Sequence, residues 1–185
     1  RYEDSGKAAE ESFDLQDFPR RREDKLRLPE TPQFDDPVKP MPARDDRIAI
    51  ERTWWTVKGE ALTGRRLQTG DMAIVRLRVQ AKQRVKDGLI VDRIPAGLEV
   101  ENLNLSQGTR ASDYKVENVN IAVAMNDARI KHREYRDDRF VVAADLDGRA
   151  LDVYYLVRVV TPGKYVVPAP FAEDMYRPDL RGVGK

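Results

Sequence analysis

From Arg47 onward, apolar residues tend to recur at every second position. In "MAIVRLRVQA", Val75, Leu77, Val79 and Ala81 share one face, while Arg76, Arg78 and Gln80 share the other. That is the period of a half-buried strand. "RIAIERTWW" places Ile48, Ile50 and Trp54 on one side, and "LIVDRI", "GLEVEN", "ARIKHREY", "RFVVAADL", "ALDVYYLVRVV" and "KYVVPAP" continue the series. Turn chemistry separates them, in "KGE", "TGD", "PAG", "RDD", "LDGR" and "TPGK". In "PAG", Pro95 fixes its own φ and Gly97 is expected to supply a positive φ; "TPGK" carries Pro162 and Gly163 in the order a type II turn prefers. Seven to eight short strands at this spacing predict an all-β antiparallel β-sandwich. The stretch 111–127, "ASDYKVENVNIAVAMND", breaks the period. Val116, Val119, Val123 and Met125 can share a helical face and Ser112 could cap it, which predicts a short crossover helix. Lys115 stands where a complete capping box needs Glu or Gln. A strand over "NIAVAM" stays open, because short apolar runs fit both elements.

Residues 1–46 lack the alternation. Six of the eleven prolines lie there, with "RRREDK" and "FDDPVKP" and isolated apolar side chains. Such a segment buries too little to offset its ordering entropy, and each proline removes a donor and extends its predecessor. The expectation is an extended linker over 1–46 and a β-sandwich domain over 47–185. The alternative is a peptide that docks through Phe13, Leu15, Phe18, Leu26 and Leu28.

Composition narrows the chemistry. Charged residues make up 35% of the 185, but the formal net charge is only +1. That balance gives no case for a nucleic-acid footprint. No run of eighteen apolar residues occurs, so no insertion into a membrane by a helix of this chain is expected. The chain opens "RYEDSGKAAEE" without Met, which reads as a piece of something longer. Cysteine is absent, so a disulfide, a zinc–thiolate site and a cysteine nucleophile are excluded within these residues. The single histidine, His132, sits on a strand beside Ile130 and Glu134 without a nucleophile pattern around it. "DLDG" at 145–148 has the look of a truncated calcium loop but reads better as an Asp-Gly turn. Trp54 and Trp55 could stack on a sugar, the basis of a carbohydrate-binding alternative. The residues point to no enzyme, no cofactor and no metal. A cell-surface or adhesin repeat serving as a spacer is a further alternative. The last apolar feature is "FAEDMYRP", where Met175 and Tyr176 stand among Glu173, Asp174 and Arg177 close to the C-terminus.

Three segments together resemble one family. They are "GDMAIVRLRVQAKQRVKDGLIVDRIPAGLEVENLNL", "RIKHREYRDDRFVVAADLD" and "LVRVVTPGKYVVPAPFAEDMYRP". In this order, over about 47–182, they are similar to the C-terminal domain of bacterial alpha-2-macroglobulins. The resemblance implies a macroglobulin or fibronectin-III-like sandwich. It also implies a periplasmic parent, usually a lipoprotein tethered to the inner membrane, that traps proteases after bait cleavage and captures them through a thioester. The partners implied are the thioester domain of the same parent and the target proteases, with other periplasmic proteins open. The thioester motif, Cys-x-x-Gln, would lie in another domain. The matching positions for shielding that bond at a domain interface are Met175 and Tyr176. Where the family pattern has a further aromatic after the tyrosine, this chain has Leu180.

Overall fold

The computed structural model describes residues 47–63, 66–102 and 110–184, together with the backbone of Leu26–Arg27. The remaining residues of the expected linker, with the docking alternative through Phe13 to Leu28, lie outside the described residues. In chain order the strands are β1 (Leu26–Arg27), β2 (Ile48–Thr56), β3 (Arg66–Leu67), β4 (Met72–Ala81), β5 (Val85–Arg93) and β6 (Leu98–Glu101). They continue as β7 (Lys115–Val116), β8 (Val119–Asn120), β9 (Ile130–Tyr135), β10 (Arg139–Leu146), β11 (Leu151–Val159), β12 (Phe171–Asp174) and β13 (Arg177–Val183); a helix α1 (Ile121–Met125) follows β8.

Two antiparallel sheets form the sandwich. One has the order β13-β12-β5-β10-β9, the other β2-β4-β11-β6. Their facing sides carry the residues that the alternation singles out: Val75, Leu77, Val79 and Ala81 of β4 meet Ile90 of β5 and Phe140, Val142 and Ala144 of β10 in one core. Burying these side chains away from water is the main stabilising term of the fold. β1 pairs with β3, Leu26 opposite Leu67, so part of the proline-rich segment adds a short strand pair.

The four-stranded sheet is buried on both faces around β11, while Arg78 and Gln80 of β4 stay exposed on its outer face. β11 reads "LDVYYLVRV", a nearly continuous apolar run. Leu151, Val153, Tyr155, Val157 and Val159 enter the main core, whereas Tyr154 and Leu156 enter a second cluster with Trp55, Ile74, Val116, Ile121 and Met125. The segment 110–127 supplies that cover. Its helix is a single five-residue turn, shorter than the alternation break suggested. It is capped by Asn120, whose side chain accepts from the Ala122 amide at 2.9 Å, and not by Ser112. It buries Ile121 and Met125, while Val119 and Val123 face out, so the expected apolar face is rotated. The reason is β7 and β8: this two-residue pair, with Glu117 and Asn118 at positive φ in its turn, takes up Val116 and Val119 and resets the phase before the helix begins.

The end of the chain differs from the expected closing hairpin. "KYVVPAP" pairs with no strand; the hairpin is "FAED" with "RPDLRGV", β12 with β13. Val167 and Pro170 still turn inward, but Pro168 and Pro170 have no N–H to give to a ladder. Gly163 has φ 156°, positive but far from the roughly +80° that a type II position requires. Gly97 does not adopt the positive φ expected of it. Its requirement is steric: Tyr165 folds back over it, and a Cβ would lie 2.6 Å from the ring Cδ2, closer still to Cε2, and 2.9 Å from the Thr161 carbonyl oxygen. Gly97→Ala is therefore expected to destabilise the domain by about 1–3 kcal/mol through overpacking, read as a lower urea midpoint with an unchanged m-value.

Candidate functional site

Met175 and Tyr176 form the two-residue tip of the β12–β13 hairpin. They are 45% and 81% exposed, in a fold whose other large apolar residues are mostly buried. A neighbouring carboxylate pins the tip. Asp174, 3% exposed, accepts from the Tyr176 amide at 2.9 Å and the Arg177 amide at 3.1 Å with one oxygen. Its other oxygen accepts from Arg177 Nε at 2.8 Å and lies 2.6 Å from Arg177 Nη2. Burial pushes the Asp174 carboxyl up, but the Tyr176 amide and Arg177 outweigh it and hold it below its ordinary value. The Met175 amide donates to the Asp87 carbonyl at 3.0 Å, and Arg177 Nη2 reaches the Arg84 carbonyl at 3.3 Å. The tip is thus tied to the start of β5, at Arg84 just before it and Asp87 within it.

Leu180 is placed elsewhere. A bulge on β13 lets Glu173 pair with Arg181 while Asp174 pairs with Arg177, which leaves 178–180 outside the ladder. Pro178, with no N–H, suits that bulge. Leu180 turns inward and is only 3% exposed, so its apolar surface is spent on its own sandwich and is not presented beside Met175 and Tyr176.

The other candidates resolve into structural roles. Trp55 is buried in the second cluster with Arg76 over its ring at 5.2 Å, and Trp54 packs against the main core with Arg52 at 5.5 Å. The two indoles point to opposite faces of β2 and form no shared platform. In "DLDG", Gly148 has φ 91° and Asp147 accepts from Arg149 Nε at 2.9 Å and Arg129 Nη1 at 3.1 Å. These guanidiniums, Arg149 first, draw the Asp147 carboxyl down to about 2, and they occupy the oxygens a cation would need. His132 is exposed on β9, opposite Ala143 of β10. Among the described residues no cluster of three or more His, Asp or Glu side chains could hold a metal.

One constellation was not foreseen from the sequence. Arg52 Nη1 meets Asp92 Oδ1 at 2.5 Å, and the Tyr155 hydroxyl donates to Asp92 Oδ2 at 2.6 Å, all inside the sandwich. Burial pushes the Asp92 carboxyl up, against the pull of Arg52 and Tyr155; burial and the Asp92 charge together push the Tyr155 hydroxyl well up. The signal was present: Arg52 falls in the inward phase between Ile50 and Trp54, and Asp92 in phase with Ile90. With each Asp92 oxygen engaged by a partner inside the sandwich, the triad is a core support between the sheets.

Comparison with known proteins agrees with the sandwich. The family described as "Bacterial Alpha-2-macroglobulin MG10 domain" matches residues 48–179. An alpha-2-macroglobulin from Xylella fastidiosa (strain 9a5c) is 44% identical over 142 residues, 76% of this chain and 9% of the relative. The alpha-2-macroglobulin of Escherichia coli (strain K12) is 42% identical over 147 residues, 78% of this chain and 9% of the relative. The chain thus spans about a tenth of the length of these relatives. The crystal structure of native E. coli alpha-2-macroglobulin from domain MG7 to the C-terminus superimposes with a TM-score of 0.71 at 40% identity, covering 80% of this chain and 24% of that one. Salmonella alpha-2-macroglobulin reacted with methylamine gives 0.69 at 37% identity, over 80% of this chain and 9% of that one. Sequence and superposition agree, and the chain belongs to the bacterial alpha-2-macroglobulin family, its sandwich corresponding to the MG10 domain.

Proposed function

We propose that this chain is the C-terminal MG10 sandwich of a bacterial alpha-2-macroglobulin protease trap. In this reading the Met175–Tyr176 tip rests on the thioester domain of the same parent and shields the thioester until the bait region is cleaved. The observation that carries it is the pairing of exposure with rigidity: two apolar side chains are displayed on a turn held by a buried carboxylate. A shield must exclude water and small amines. A flat phenol ring beside a flexible thioether covers an irregular surface, and a fixed turn loses little entropy when it docks. The relatives support the setting, since one E. coli structure is of a molecule activated by porcine elastase and one Salmonella structure is of a molecule reacted with methylamine. The domain then acts by binding and not by catalysis. The parent belongs in the periplasm, tethered to the inner membrane as a lipoprotein.

The test is methylamine incorporation into a full-length alpha-2-macroglobulin carrying this domain. The double change Met175→Ala/Tyr176→Ala should raise the rate at least about tenfold, the effect of removing roughly 1.4 kcal/mol of protection. The rate in Leu180→Ala, corrected for its fraction folded, should stay near that of the unchanged protein, because Leu180 lies beneath the surface. An unchanged rate in the double variant rejects the shielding role.

A further inference from the structure

We infer that Asp174 is the positioning residue of the hairpin tip, and that its carboxylate, with Arg177, sets the direction in which Met175 and Tyr176 project. The functional part of this inference rests on the shielding reading; the geometric part stands alone. The carboxylate is 3% exposed, yet it lies two residues from a side chain that is 81% exposed. Four donors converge on its two oxygens: the amides of Tyr176 and Arg177 on Oδ1, and Nε and Nη2 of Arg177 on Oδ2. The amide of the residue two positions on is the donor an Asx-turn uses, so the side chain imitates a backbone turn and fixes φ and ψ at the tip.

The guanidinium adds the second anchor. Arg177 bridges Asp174 to the Arg84 carbonyl, and the Met175 amide bonds the Asp87 carbonyl, so the tip cannot swing without breaking bonds to the segment that starts β5. Elsewhere in the β12–β13 pairing, the bulge has removed ladder bonds between 178 and 180. Loss of the carboxylate therefore leaves the turn with few restraints. The chemistry separates two substitutions. Asparagine keeps an oxygen for the two amides and loses the charged pair with Arg177. Alanine loses all four bonds.

Amide hydrogen exchange on the 185-residue chain reads this directly. In Asp174→Ala, exchange at Tyr176 and Arg177 should accelerate at least about tenfold, the loss of one to two hydrogen bonds with a charged acceptor. Asp174→Asn should recover most of the Tyr176 protection, and exchange in β5 and β10 should not change. Unaltered exchange at Tyr176 in the alanine variant overturns the inference. So does equal acceleration at the tip and in β5 and β10, which marks a general loss of stability. In the full-length protein, Asp174→Ala should speed methylamine incorporation nearly as much as Tyr176→Ala. If Tyr176→Ala speeds it and Asp174→Ala does not, the positioning role fails. If neither does, while the tip exchanges faster in Asp174→Ala, the shielding reading fails and the positioning role stands.

Discussion

Asp92→Ala should lower the unfolding free energy by about 3–5 kcal/mol, a large part of the stability of a domain this size. The substitution leaves the Arg52 guanidinium, with 2% of its side chain exposed, without its counter-charge, and the Tyr155 hydroxyl without its acceptor. A buried charge without a partner costs far more than the hydrogen bonds it made. The companion variant separates these causes. Replacing the whole unit, Arg52→Met with Asp92→Leu and Tyr155→Phe, removes every polar group at once, and should recover most of the loss. Equilibrium urea unfolding of the variants checks both statements. A loss below about 1 kcal/mol for Asp92→Ala would mean that water reaches Arg52 in the native sandwich.

Phe140→Ala should cost a comparable 3–5 kcal/mol. The ring is completely buried on β10, stacked on Tyr155 at 4.5 Å between centroids and tilted against Tyr135 at 5.2 Å. It fills the space between the two sheets beside the ion pair, in register with Asp92 on the neighbouring β5, where close packing on both sides limits collapse. Removing it loses the apolar transfer term, two aromatic contacts and the closure that keeps water from Asp92. Phe140→Leu should lose much less, since most of the volume remains. The melting temperatures of the two variants give the check: Phe140→Ala should fall furthest, by roughly 6–20 °C for a domain of this size. Because Phe140 and Asp92 touch the same tyrosine, their double variant should be non-additive.

Most of the sandwich was legible from the alternation. β2, β4, β9 and β10 appear where the period places them, because a strand with one face toward solvent leaves its mark at every second residue, and β11, buried on both faces, shows as a nearly continuous apolar run between turns. The failures share a cause. The segment 111–127 was read by its own periodicity, but the β7–β8 turn and the second cluster on the far side of β11 decide which of its side chains turn inward. "KYVVPAP" has a strand's composition, yet β12 takes the place beside β5 that a closing strand would need. Gly97 looked like a turn glycine and is one that must lack a Cβ because Tyr165 lies across it. None of these contacts is local in sequence.

The functional candidates divide in the same way. By itself, the sequence determined the sandwich class, the absence of cysteine chemistry and the choice of Met175 and Tyr176 as unusual apolar residues, since each follows from residue type or local period. Tertiary structure decided what those residues present. Leu180, five residues from Met175, is drawn under the surface by a bulge, while Asp174 goes inward and turns its neighbours outward. Burial depends on which strand lies alongside, and hydrogen bonds on which donors the fold brings within 3 Å. Pairing partners far apart in sequence set both, so an alternating pattern can say that a side chain is apolar but not whether the fold will spend it on the core or display it.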